Sequence, residues 1–113
     1  MTKKEKVRLL TSTGVYFILN KSRNAVRIGL THNIKCRLSM HQCHNVDILE
    51  LVGFLKCKNI KETRLREKEL HKRFQKDNIH GSWFNYSFDM KQSILCYKIK
   101  PSLKILDFKN IRF

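Results

Sequence analysis

Glu67 occupies a position where a carboxylate is costly. Projected at about 100° per residue, the helical stretch from Lys61 to Gln75 gathers Ile60, Thr63, Glu67, Leu70, His71 and Phe74 within an arc of ~100°, the stripe that packs on the rest of the fold. A carboxylate buried there needs a metal ion, an arginine or a lysine to meet it. The alternative is a rim position, with Glu67 paired to Arg64 or Lys68. Glu69 points sideways and reads as a solvated charge. A shorter helix, capped by Thr31 or Asn33 and running to about Cys43, carries Ile34, Arg37, Leu38 and His41 on one face at i, i+3, i+4 and i+7. Two such helices on one sheet bring Arg37, His41 and Glu67 to a common surface. An arginine fork, an imidazole and a lone carboxylate suit phosphodiester chemistry. The carboxylate holds a divalent metal, the arginine neutralises the charge that develops on phosphorus, and the histidine moves a proton or touches a phosphate.

The elements that must position these groups follow from the local pattern. Val15 to Leu19 is a β-branched and aromatic run; the turn-rich segment 20–24 and a second run from Ala25 to Leu30 complete a β-hairpin. Residues 47–57 fit a third strand, and 81–86 a short extended return. Ser87 is placed to cap a last helix to about Lys98, which Pro101 ends; Leu103, Ile105 and Phe108 then alternate with charges as an edge strand or a partner-binding arm. The order predicts an α+β fold: a small mixed or antiparallel three-stranded sheet flanked by helices, with an additional C-terminal helix and tail. Residues 1–12 read as a basic lead-in, ordered only at Val7 to Leu10, 13–86 as the functional domain, and 87–113 as a helix and tail packed on it.

Charge narrows the partners. The chain of 113 residues carries 24 lysines and arginines against nine acids, a formal net charge of +15. A single small domain so charged attracts polyanions at long range. A membrane surface is disfavoured, because no apolar run of about 18 residues and no clean amphipathic basic helix is present. The start of the chain lacks an apolar secretory segment, and the four cysteines, Cys36, Cys43, Cys57 and Cys96, form no CxxC pair. They read as free, mostly buried thiols of a cytoplasmic protein, and the spacing of Cys36, His41, Cys43 and His44 matches no closed zinc pattern. Lys35, Arg64, Lys68 and Lys72 are the candidate contacts to nucleic acid.

Gly14, Val15 and Tyr16 on the first strand, with Arg27, Ile28 and Gly29 on the second, resemble the two signature elements of the GIY-YIG nuclease domain. The likeness continues through Thr31, the Arg37 to His41 segment, Glu67, the Leu70 to Phe74 segment, and Gly81, Trp83 and Phe84, which resemble the phage-associated branch; it spans residues 13–86. The resemblance implies a metal-dependent DNA endonuclease, bacterial or phage-encoded, using a single Mg²⁺ or Mn²⁺ held by Glu67. It makes Tyr16 the residue beside the attacking water, Arg37 the transition-state stabiliser, His41 a proton or phosphate contact and Asn85 a match to a late asparagine. Gly29 would let the backbone approach the site. One departure stands out: Arg27 replaces the second signature tyrosine, and a guanidinium with a pKa above about 12 cannot act as a base, although it can bind the scissile phosphate. The other reading is therefore a catalytically inactive basic module that binds nucleic acid. DNA, duplex or branched, is the expected partner, RNA less so, and no sequence-reading module is visible, which leaves specificity to a homodimer or a targeting partner.

Overall fold

The computed structural model describes residues 2–105. Its core is an antiparallel sheet of β1 (Gly14–Asn20), β2 (Ala25–Thr31), β3 (Leu49–Lys56), β4 (Asn78–His80), β5 (Trp83–Asn85) and β6 (Lys98–Lys104) in the order β4-β5-β2-β1-β3-β6. Helices α1 (Lys3–Leu10), α2 (Ile34–Cys43), α3 (Ile60–Arg73) and α4 (Phe88–Ser93) flank it. The α+β class is as expected, but the sheet has six strands rather than three.

β1 is the central strand and is buried along its whole length, which explains its unbroken apolar run. Strand alternation sends Tyr16 and Ile18 to one face, where they pack with Ile34 and Leu38 of α2, and Val15, Phe17 and Leu19 to the other, where they pack with Phe74 and with Leu70 of α3. The two long helices therefore lie on opposite faces of the sheet. This corrects the expectation that they share a surface: each has an apolar stripe, and a central strand buried on both sides needs one cover for each face.

Local signals set the ends of elements. Asn33, Asn59 and Ser87 cap α2, α3 and α4, each accepting a backbone N–H, from Cys36 (3.3 Å), Glu62 (2.9 Å) and Met90 (3.1 Å). The β1–β2 connection closes with Asn24 at φ 48°, a left-handed conformation that asparagine tolerates better than most residues.

Four further expectations are corrected. The lead-in is helical from Lys3, because Thr2 accepts the Glu5 N–H and starts α1. The last helix ends at Ser93 rather than near Lys98; a short 3-10 turn, Leu95–Tyr97, follows, and the chain then joins the sheet as β6. Pro101 lies inside that strand, which is tolerated because β6 is an edge strand and needs no second partner for every N–H. Of the thiols, all are free but only Cys57 is buried, because Cys36, Cys43 and Cys96 lie on the outward sides of their elements. The expected alternation of the tail holds at Leu103 and Ile105, both buried; Phe108 lies outside the described residues.

Candidate active site

The face covered by α2 brings together four of the groups singled out in the sequence. Tyr16 pairs with Gly29 across β1 and β2, and Ile18 with Arg27, so Tyr16 and Arg27 point to the same face, one diagonal step apart. The phenol lies across Gly29. A Cβ there would fall on the Tyr16 hydroxyl and ring and stand 2.9 Å from Cε1, so the missing side chain of Gly29 is the space that the phenol occupies. From α2, His41 reaches down to the phenol, its Nε2 3.0 Å from the Tyr16 oxygen. Leu38 and Ile34 are buried beneath the same helix and hold it in place, while Arg37 stays exposed beside His41.

The electrostatics of this group are one-sided. His41 is pushed down from an ordinary 6.5 to about 4, by burial first and then by the charges of Arg27, Arg37 and His44. The imidazole is therefore neutral near neutral pH and accepts the Tyr16 hydroxyl proton at Nε2. Arg27 leans on Trp83 of β5, its cross-strand neighbour, with the guanidinium carbon 5.9 Å from the indole centroid. Its Nε is buried without a hydrogen-bond partner. A buried, unpaired N–H carries a desolvation cost that an anionic ligand offsets. The site thus has two guanidinium groups and a neutral histidine, and no carboxylate among their bonded partners.

Glu67 approaches from the other side. The backbone N–H of Ile28 donates to Ser82 (3.0 Å), and Ile28 O meets His71 Nε2 of α3 (2.8 Å), so both atoms mark the outer edge of β2. β5 covers β2 only from Ala25 to Arg27. Among the described residues, no strand lies beside that edge beyond Ile28. Glu67 lies one turn before His71 on α3, the helix that packs on the opposite face of the sheet from α2. It is half-buried and makes no hydrogen bond or ion pair among the described residues, so neither Arg64 nor Lys68 holds it. Glu69, by contrast, is exposed and pairs with Arg66 at 3.4 Å.

Asn85 is exposed on β5 opposite Ala25, at the far end of β2 from Gly29, and does not join the group. Arg64, Lys68 and Lys72 form an exposed row on α3, and Lys68 and Lys72 border a cleft of about 590 Å³ with His71, Asn78 and Phe84. Lys35 lies on α2, on the other face. The candidate nucleic-acid contacts are therefore divided between the two faces. Sequence reasoning passed over two contributors. His71 ties α3 to the β2 edge, and its only signal is its place on the Glu67 stripe. Trp83, taken as core, is half-buried and supports Arg27; that pairing depends on the β2–β5 register.

No curated protein and no solved structure is significantly similar to this chain. The model of the T5orf172 domain matches residues 13–98, from just before β1 into the start of β6. On that match, which takes in Tyr16, Arg27, Arg37, His41 and Glu67, the chain belongs to the T5orf172 domain family.

Proposed function

We propose that this protein is a metal-dependent DNA endonuclease of the GIY-YIG type, hydrolysing a phosphodiester by in-line attack of water. The observation that carries the reading is the Tyr16–His41 hydrogen bond set beside a half-buried arginine whose Nε is buried and lacks a partner. Arg27 and Arg37 bind the non-bridging oxygens of the scissile phosphate and stabilise the charge that grows there. The Tyr16 oxygen takes a proton from the attacking water as its own proton passes to His41 Nε2. The new P–O bond forms as the bond to the leaving alkoxide breaks, and that alkoxide takes a proton from solvent. Phosphate binding also neutralises two of the three charges that add to burial in depressing His41, those of Arg27 and Arg37, so the substrate itself makes the imidazole a better base.

A hard cation such as Mg²⁺ is commonly held by one or two carboxylates, with waters and substrate phosphate completing its shell. The unpartnered Glu67 fits that mode, whereas an all-protein cage does not: among the described residues there is no group of three or more His, Cys, Asp or Glu able to hold a metal. Glu67 would hold Mg²⁺ or Mn²⁺, and the bound ion would supply charge stabilisation to the leaving oxygen.

Arg27→Ala tests the reading. It should lower single-turnover cleavage by about 30- to 1,000-fold, the loss of roughly 2–4 kcal/mol typical of one preorganised donor. DNA affinity should fall only a few-fold, since one cation among many adds little to nonspecific attraction. Equal losses in rate and affinity make Arg27 a tether. The second reading, an inert DNA-binding module, is favoured by the packing of α3, which carries Glu67, on the opposite face of the sheet from α2, and it prevails if wild-type protein binds DNA but cleaves none with Mg²⁺ or Mn²⁺.

A further inference from the structure

Next to the proposed site lies a second cavity, which no step of the hydrolysis uses. It has a volume of about 350 Å³ and lies against Ala25, Asn45, Ile79, His80 and Trp83. Ala25 and Arg27 alternate along β2 on the same face, and their cross-strand neighbours Asn85 and Trp83 do so along β5. Arg27 thus stands between the cavity and the Tyr16 phenol over Gly29. Two residues of strand, about 6–7 Å, separate each station from the next.

The lining indicates the chemistry. Trp83 presents a half-buried indole, Ile79 is 52% exposed at the mouth, and His80 and Asn45 supply polar atoms at the rim. The cation at this cavity, Arg23, is committed to Asp47 at 3.0 Å, so the cavity is poorly equipped for a phosphate. An aromatic wall with polar atoms at its edge suits a flat heterocycle with hydrogen-bonding edges. The volume is within the usual range for small-molecule sites, about 300–1,000 Å³. On a strongly basic chain with a phosphate-binding arginine one step away, the heterocycle of matching reach is the base of the same nucleotide.

We infer that the Trp83 cavity receives an unpaired nucleobase whose phosphate lies at Arg27, and that the preferred substrate carries unpaired nucleotides at the cleavage point: a single strand, flap, bulge or junction rather than continuous duplex. This rests on the nuclease reading for the role of Arg27. A base inside a duplex is excluded because its edges are paired and its faces stacked.

Trp83 is the only tryptophan, so its fluorescence reports on the cavity and on the Arg27 guanidinium beside it, and the abasic oligomer, which offers phosphates without bases, separates the two. With EDTA present to prevent turnover, wild-type protein is titrated with an end-labelled single-stranded oligonucleotide, the same strand in a blunt duplex, and an oligomer of abasic deoxyribose phosphates, while anisotropy follows binding. The single strand should quench Trp83, whereas the duplex and the abasic oligomer should bind with little quenching. Ile79→Glu, at an exposed position where folding is not at stake, should weaken the single strand at least about fivefold more than the duplex, the lower end of what one stacked base contributes. Equal quenching by all three ligands, or equal weakening of single strand and duplex, overturns the inference. Neither measurement needs cleavage. A protein that nicks plasmid but fails these tests keeps the nuclease and loses the cavity, and one that passes them without cleaving does the reverse.

Discussion

Gly29→Ala is the substitution that most sharply connects packing to chemistry. The added methyl falls on the Tyr16 hydroxyl and ring, and Tyr16 is itself only 2% exposed, so the phenol cannot swing away without moving its neighbours in the core it shares with Ile34 and Leu38. Overpacking of this kind costs about 1–3 kcal/mol, and loss of the hydrogen bond to His41 adds roughly 0.5–1.5 kcal/mol. Against this, alanine is better than glycine within a strand by about 0.5–1 kcal/mol. The net destabilisation is about 1–3 kcal/mol, which for 113 residues lowers Tm by roughly 4–12 °C. The protein stays folded at 25 °C, but a misplaced phenol should reduce cleavage by about 100-fold. The comparison is Gly53→Ala in β3, whose new Cβ would stand 3.1 Å from Phe17 Cδ2 on the opposite face. It should lose stability with little loss of rate. Thermal melts by circular dichroism and nicking of supercoiled plasmid, run on both variants, decide the matter. Wild-type cleavage by a folded Gly29→Ala protein would refute the placement of Tyr16 at the reacting centre.

Glu67→Gln keeps size and polarity but removes the charge that would hold a divalent ion, so nicking should fall at least about 100-fold while the fold survives; near wild-type nicking removes Glu67 from the account. Arg37→Ala should reduce turnover far more than DNA affinity, and parallel losses would make it a surface contact. In the free protein the His41 ring resonances should titrate near about 4 rather than 6.5, because burial and then Arg27, Arg37 and His44 favour the neutral form. A folded pKa below the unfolded one means that this contribution to stability is present above pH 6.5 and is lost as pH falls from there through about 4. Adding a phosphorothioate dinucleotide should move the titration upward, and a midpoint unchanged on binding would show that the ligand does not sit between the arginines.

His41 was legible from its spacing along a helix beside Ile34 and Leu38, both buried in the structure, whereas Tyr16 and Arg27 were singled out only by the resemblance to the GIY-YIG signature. Two helix starts were legible too, at Asn33 and Ser87, since an asparagine or serine facing free N–H groups is a local event. The face each helix would cover was not legible. An apolar stripe on α3 shows that it packs, but the sequence holds no mark of which side of β1 it packs on, and the Glu67 placement depends on that choice. The short strands were equally obscure. β4 is exposed throughout and has no apolar alternation to betray it, while β6 contains a proline and follows a helix only six residues long. Arg27 illustrates the remaining gap: its type was visible as a departure from the signature, but its unpartnered Nε and its indole support arise from neighbours more than fifty residues away in sequence.

The central claim is that the Tyr16–His41 pair hydrolyses DNA, and the most direct measurement is nicking of supercoiled plasmid by purified wild-type and Tyr16→Phe protein, each with Mg²⁺, Mn²⁺ or EDTA, with DNA binding measured in parallel. Wild-type protein should convert the plasmid to open circles in a metal-dependent reaction that EDTA abolishes, and Tyr16→Phe should reduce it at least about 100-fold, with both proteins binding DNA equally. Wild-type protein that binds but never nicks, or Tyr16→Phe protein that nicks as fast as wild type, would contradict the claim.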